Sequence, residues 1–236
     1  MSQVSIITGA SQGIGKAMAC YFAQQGFHLA LMARNADKLS SLAQDLQQQY
    51  STAINAYPTD VSDKIAVQQT IQQIINDHGR IDILFNNAGV AYQGTSDICP
   101  DHFEAMIRIN LLGAFYVLHA VIPQMKKQQS GYIFNLVSRS GITARPIVGG
   151  YAASKFGLRG YSEALYKELA PLGIKVTALH PGWVNTDMTN KVKIPRNEMI
   201  QTDDIATIVD MLLRLNPFTH ISDIVIEPRS VIDLNS

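Results

Sequence analysis

A chain of 236 residues, 47% apolar and 16% charged, is long enough to bury a full core. Its 19 basic and 19 acidic residues cancel. That balance argues against nucleic acid, an anionic membrane or a polyacidic partner, so any charge recognition must be local. Cys20 and Cys99 belong to no Cys-x-x-Cys or Cys/His cluster, so neither a disulfide framework nor a metal site is expected. The start "MSQVSIITGAS" has no basic or apolar leader pattern and no run of roughly 18 apolar residues is expected to span a bilayer, so the expected location is cytoplasmic.

In chain order, strand-type runs appear as "VSIIT", "HLALMA", "AINAY", "IDILF", "YIFNLV", "IKVTAL" and "DIVI". Between them lie amphipathic segments, among them "KAMACYFAQQG", "DKLSSLAQDLQQQY", "KIAVQQTIQQIINDHG", "HFEAMIRINLLGAFYVLHAVIPQM" and "GLRGYSEALYKELAPLG". Strands alternating with helices predict a mostly parallel sheet covered on both faces, a doubly wound α/β fold. No linker, repeat or low-complexity block interrupts the series, so residues 1–236 are expected to form one domain that both binds a dinucleotide and does the chemistry.

The first strand runs into "TGASQGIG" and then a helix. Gly9, Gly13 and Gly15 allow a tight turn, a close backbone approach by a pyrophosphate, and helix-on-strand packing, while the helix start offers free N–H groups. The spacing is G-x-x-x-G-x-G rather than G-x-G-x-x-G, and a ligand-free glycine turn is the plain alternative. At the end of the second strand stand Ala33, Arg34 and Asn35. An acid there would bind a ribose 2′-hydroxyl, whereas Arg34 offers a planar donor fork to a 2′-phosphate, favouring NADP over NAD. Asp37 is the competing ribose acid, but "NADKL" reads as a helix start in which Asn35 or Asp37 caps or complements the N-terminus.

Further along, "YAASK" puts Tyr151 and Lys155 one helical turn apart, on one face. A phenol of pKa about 10 must drop by about 3 units to exchange protons near neutrality, or about 4 kcal/mol. One cation at about 4 Å supplies roughly that at an effective dielectric near 20. Ser138, at the end of the fifth strand, and "NNAG" (Asn86 to Gly89), at the end of the fourth, reach the same carboxyl edge of the sheet.

Taken together, "TGASQGIG", "TDV" (Thr59 to Val61), "NNAG", Asn110 in "RINLLG", Ser138, "YAASK" and "PGWVNT" (Pro181 to Thr186) resemble a short-chain dehydrogenase/reductase over nearly the whole chain. The resemblance implies a seven-stranded sheet in the order 3-2-1-4-5-6-7 and catalysis by Asn110, Ser138, Tyr151 and Lys155. Tyr151 would be the acid in carbonyl reduction and the base in alcohol oxidation. Lys155 would lower its pKa and hold the nicotinamide ribose, Ser138 would hydrogen-bond the substrate oxygen, and Asn110 would support Lys155 through a water. Ser140 is a weaker rival to Ser138. For NADP(H), the resemblance implies contacts from Gly9, Ser11, Gln12, Gly13, Ile14 and Gly15, from Arg34, from Asp60 and Val61 at the adenine, and from Asn87, Ala88 and Gly89. Tyr151 and Lys155 complete that set with Pro181, Gly182, Val184 and Thr186 at the carboxamide. Hydride would pass directly between the nicotinamide and carbon, with no metal.

The expected substrate wall is Ser138, Ile142, Thr143, Ala144, Ile147, Val148, Trp183 and Met188, with a short substrate-side segment at 186–201; it suits an apolar ketone. A carbonyl reductase is therefore expected, with a 3-oxoacyl-carrier-protein or CoA-thioester reductase as the rival. The arginines that dock the carrier protein in that group fall here at Gln129 and Leu172, and the ending "HISDIVIEPRSVIDLNS" lacks the group's Gly-Gly. A non-catalytic NADP-sensing module is the remaining alternative. The resemblance also implies a homodimer or homotetramer through helices around 101–125 and 151–172.

Overall fold

The computed structural model describes residues 2–190 and 192–232. Seven strands form one sheet: β1 (Val4–Thr8), β2 (His28–Ala33), β3 (Ile54–Pro58), β4 (Ile83–Asn86), β5 (Gly131–Leu136), β6 (Ile174–Pro181) and β7 (Asp223–Ile226). Their order is β3-β2-β1-β4-β5-β6-β7 and every pairing is parallel. The chain therefore reverses direction across the sheet between β1 and β4. In such folds the carboxyl ends of those two strands open the ligand crevice.

Alternation along each strand divides the core in two. Ile7, Leu29, Leu31, Ile83 and Phe85 face one layer, made by α1 (Gly13–Gln24), α2 (Ala36–Gln49) and, later in the chain, a helix at Thr202–Arg214. Ile6, Ala30, Met32 and Leu84 face the other, made by α3 (Lys64–His78), a broken helix over residues 100–128 and a helix at Gly149–Leu169. Strands buried on both faces are expected to be mainly apolar, and β1, β2 and β4 are, with Ser5, Thr8 and Asn86 as buried polar members.

The broken helix is α4 (Pro100–Met106), a π-helical turn (Ile107–Gly113) and α5 (Ala114–Gln128). Sequence pattern predicts one continuous helix here. A π turn adds a residue per turn and rotates the next stretch of helix about its axis, a device concentrated at functional sites. By length and composition the run Pro100–Gln128 is long and apolar enough to cross a membrane, which corrects the expectation that no such run exists. In the fold, however, Val117, Leu118, Val121, Ile122 and Met125 pack into the second layer. After it come α6 (Gly149–Leu169), α7 (Thr202–Arg214) and the short α8 (Arg229–Ile232).

Candidate active site

The glycine turn joins β1 to α1. Gly9 and Gly13 have φ of +66° and +55°, a region that side chains resist. Gly15 is set by packing instead: a Cβ there would lie 2.2 Å from the Gly9 carbonyl oxygen and 2.7 Å from Asn87 Nδ2. Gln12, at the α1 N-cap, makes no side-chain capping bond, and the first turn holds no acid. The first turn is thus left without a side-chain cap beside the crevice, the arrangement an anion site uses.

Thr8, to which the motifs alone give no role, ties this turn to β4. Its hydroxyl accepts from the Asn87 and Ala88 amides at 2.9 and 3.0 Å and meets Asn86 Oδ1 at 3.3 Å. Asn87 Nδ2 returns to the Thr8 carbonyl at 2.8 Å. Both "TGASQGIG" and "NNAG" are thus locked into one wall.

A cleft of about 590 Å³ opens over this wall, within the range of small-molecule sites. Of the expected cofactor residues, Gly9, Ser11, Gln12, Gly13, Ile14, Arg34, Asp60, Val61, Asn87, Ala88, Gly89, Tyr151, Lys155, Pro181, Gly182, Val184 and Thr186 line it. Gly15 lies behind it in the helix–strand contact. Arg34 is exposed on the rim and pairs with no acid among the described residues. Asn35 caps α2, accepting from the Lys38 amide at 2.9 Å, with Asp37 in the first turn. Asp37 sits in the first turn of α2, where its charge complements the helix dipole. Asp60 uses Oδ1 to hold Ser62 through its amide and hydroxyl.

Ser138, Tyr151 and Lys155 meet at the other end of the cleft. Ser138 follows β5 in extended backbone and its hydroxyl accepts from the Ser140 amide at 3.1 Å; Ser140 itself is off the cleft wall. The Ser138 side chain stands close enough to the Tyr151 phenol to favour its ionised form. Lys155 is 3% exposed, donates to the Leu136 carbonyl at 2.8 Å and sits 5.7 Å from the Tyr151 ring centroid. Gly89 backs this corner, where a Cβ would lie 3.2 Å from Asn110 Oδ1 and 3.7 Å from Lys155 Nζ.

One expectation is corrected here. Burial pushes the Tyr151 phenol up to about 12, opposed only by the Ser138 side chain, and pushes Lys155 down to about 8. Packing against the protein penalises the phenolate and the ammonium alike, so each is pushed toward its neutral form. The protein's own groups therefore hold Tyr151 as a protonated donor and do not bring it near neutrality.

Asn110, at the centre of the π turn, is fully buried and off the cleft wall. Its Oδ1 accepts from the Val90 amide at 2.8 Å, and its Nδ2 donates to the Val90 carbonyl and to Ser154 Oγ at 2.9 and 3.0 Å. Ser154 in turn donates to the Tyr151 carbonyl at 2.7 Å. The side chain thus braces the loop after β4 against α6, and any relay through Asn110 has to use other atoms. Ser154 lies within "YAASK", but only the three-dimensional pairing with Asn110 reveals its part.

The substrate wall also departs from expectation. Ser138 and Met188 line the cleft, whereas Ile142, Thr143, Ala144, Ile147, Val148 and Trp183 do not. Tertiary ties carry that loop outward. Arg139 pairs with Glu227 and donates to Thr143 Oγ1 at 2.8 Å. Thr95 bonds the Pro146 carbonyl and accepts from the Gly149 amide at 3.0 Å. Arg145 covers the Trp183 ring at 6.0 Å. Val90, Ile109 and Val137 supply apolar lining in their stead. Segment 186–201 contains short 3₁₀ turns at Asp187–Thr189 and Arg196–Glu198 and closes through a Val184–Ile200 bridge; Lys191 lies outside the described residues.

The fold and cleft define a dinucleotide-binding α/β protein with a Ser–Tyr–Lys cluster. Residues 3–197 match the family described as short chain dehydrogenase, and the chain belongs to that family of oxidoreductases. It is 33% identical over 227 residues to an uncharacterized oxidoreductase of Staphylococcus epidermidis, covering 96% of this chain and 97% of the relative. Among solved structures it is similar to a betaketoacyl-[ACP] reductase from Bacteroides thetaiotaomicron, at 37% identity, 99% of each chain and a TM-score of 0.86. It is likewise similar to an alcohol dehydrogenase from the archaeon Thermococcus sibiricus complexed with 5-hydroxy-NADP, at 29% identity, 97% of each chain and a TM-score of 0.90.

Proposed function

We propose that the protein is an NADPH-dependent carbonyl reductase. The observation that carries this reading is the convergence of Ser138, Tyr151 and the buried Lys155 on the same cleft that an uncapped glycine turn lines. The α1 N-terminus would hold the pyrophosphate, Arg34 the 2′-phosphate, the other oxygen of Asp60 the adenine amine, Lys155 the nicotinamide ribose, and Pro181 to Thr186 the carboxamide. When bound, the cofactor supplies the hydride. Ser138 and Tyr151 donate to the substrate carbonyl oxygen, and Tyr151 gives up its proton as the carbon is reduced. Lys155 steadies the phenolate so formed, and Asn110 keeps the Tyr151 segment in place for reprotonation from water.

The binding of a 5-hydroxy-NADP by a similar structure supports the same cofactor here. Replacing Arg34 by Asp removes the donor fork and adds a repelling charge. The Arg34→Asp variant is expected to lose about 10- to 100-fold in kcat/KM with NADPH while NADH improves relative to it, since a hydrogen bond to a charged group contributes about 1.5–3 kcal/mol. An unchanged ratio of the two cofactors would refute the assignment.

A second reading, reduction of 3-oxoacyl thioesters, is favoured by the 37% identity to the betaketoacyl-[ACP] reductase. Against it, Gln129 is an exposed helix cap and Leu172 packs on the core, so neither offers a cation to a carrier. Steady-state kcat/KM for apolar ketones and for carrier- and CoA-linked 3-oxoacyl substrates decides between them. Ketones are expected to be turned over, and activity confined to thioesters would overturn the first reading. Phe103, Leu112 and Phe156 are exposed on α4, the π turn and α6, which supports pairing of copies across these helices.

A further inference from the structure

His180, near the end of β6, is fully buried and reaches both neighbouring strands' connections. Its Nε2 lies 2.8 Å from Asp223 Oδ1 at the start of β7. Its Nδ1 lies 3.2 Å from the main-chain carbonyl oxygen of Ser138, which also accepts from the Gly141 amide at 2.9 Å. Arg159 on α6 approaches the same Asp223 oxygen at 3.5 Å. Asp223, Arg159 and Ser138 are the charged and polar groups that act on the ring.

Both partners of the imidazole are acceptors. A carboxylate and a carbonyl can each only receive a proton, and a neutral ring has one N–H to give. With one proton, the ring bonds either Asp223 or the Ser138 carbonyl and sets a lone pair against the other. With two protons it bonds both. Resting on the reading of Ser138 as the residue that holds the substrate oxygen, we infer that His180 and Asp223 are a positioning pair that fixes Ser138 through its carbonyl, firmly when the imidazole carries two protons and weakly when it carries one. Neither touches the substrate or the cofactor cleft, so they act through Ser138 alone. Burial lowers the pKa of His180 below the ordinary histidine value, against the pull of Asp223 and Ser138. The firm state therefore lies on the acid side, and the hold weakens as pH rises through that lowered value.

The test joins kinetics to spectroscopy on the full chain. His180→Phe keeps the ring volume and removes both bonds; kcat for ketone reduction should fall on the order of 10-fold or more, since small misplacements of reacting groups cost that much, while the NADPH Kd stays within about 2-fold. In a Ser138→Ala background the same change should cost almost nothing further, and equal losses in both backgrounds would overturn the inference. Asp223→Asn can donate to Nε2 and so direct the remaining ring proton to the Ser138 carbonyl. It should cost far less than His180→Phe and flatten the acid-side pH dependence; a loss as deep as that of His180→Phe would count against the pair. The ¹⁵N shifts of the His180 ring decide the matter even if no carbonyl compound proves to be a substrate. Two protonated nitrogens at acid pH, losing one on titration below the ordinary value, are expected, and a ring singly protonated throughout, with bare Nδ1, would contradict the inference.

Discussion

Tyr151→Phe is expected to bind NADPH as the native protein does and to reduce carbonyl compounds about 10²- to 10⁴-fold more slowly, the range associated with losing a general acid. The substitution removes one oxygen and keeps the ring, so the cation–π contact with Lys155 remains. The phenol hydroxyl stands beside Ser138 in the cleft and is held in its protonated form by desolvation. Fluorescence titration with NADPH and single-turnover reduction separate binding from chemistry. Unchanged reduction would remove Tyr151 from the mechanism, and native Tyr151 with NADPH binding but no turnover of any carbonyl compound would favour the sensing module.

Lys155→Met should move activity and stability in opposite directions. Burial takes the lysine from the ordinary 10.5 to about 8, so carrying its charge at pH 7 costs about 3 kcal/mol. Methionine removes that cost and forfeits the bond to the Leu136 carbonyl, about 1 kcal/mol, leaving a net gain of about 2 kcal/mol. Because the folded pKa is depressed, the cost is fully present below about 8 and fades as pH rises toward 10.5. The variant's advantage in Tm should accordingly shrink between those values. Its kcat for reduction should fall by about 10²-fold or more, since nothing then steadies the phenolate. A variant that is both less stable and less active would show that the lysine is a structural tie instead. The trade fits the common pattern in which a site keeps groups that folding alone would reject.

Much of this fold is legible because parallel strands covered on both faces leave continuous apolar runs. "HLALMA" coincides with β2 and "DIVI" with β7, while "IDILF" and "IKVTAL" shift only at their ends. α7 escapes the pattern of amphipathic segments, although Ile205, Val209 and Leu212 bury one face of it. The glycine turn and the Tyr151–Lys155 spacing are legible for a local reason: φ freedom and one helical turn are properties of near neighbours.

The features hidden from the sequence depend on distant partners. The π turn at Asn110 has no compositional mark, because an i→i+5 bond uses the same apolar spacing as its neighbours. The outward path of residues 142–148 is set by the Arg139–Glu227 and Thr95–Pro146 ties, which join segments 88 and 51 residues apart. The upward push on the Tyr151 pKa comes from desolvation, and spacing along a helix says nothing of how a ring is packed. His180 stands in plain view before "PGWVNT", but only the parallel register of β6 and β7 shows what it reaches.

The central claim is that Tyr151 donates as a neutral phenol while Lys155 must be charged beside it. The pH dependence of kcat for ketone reduction at saturating NADPH tests it most directly. The profile should fall as pH rises through about 8, where Lys155 loses its proton, with no loss attributable to Tyr151 until about 12. A rate that stays level across pH 8 and on to about 10, the ordinary range of a phenol, or that rises there, would contradict it.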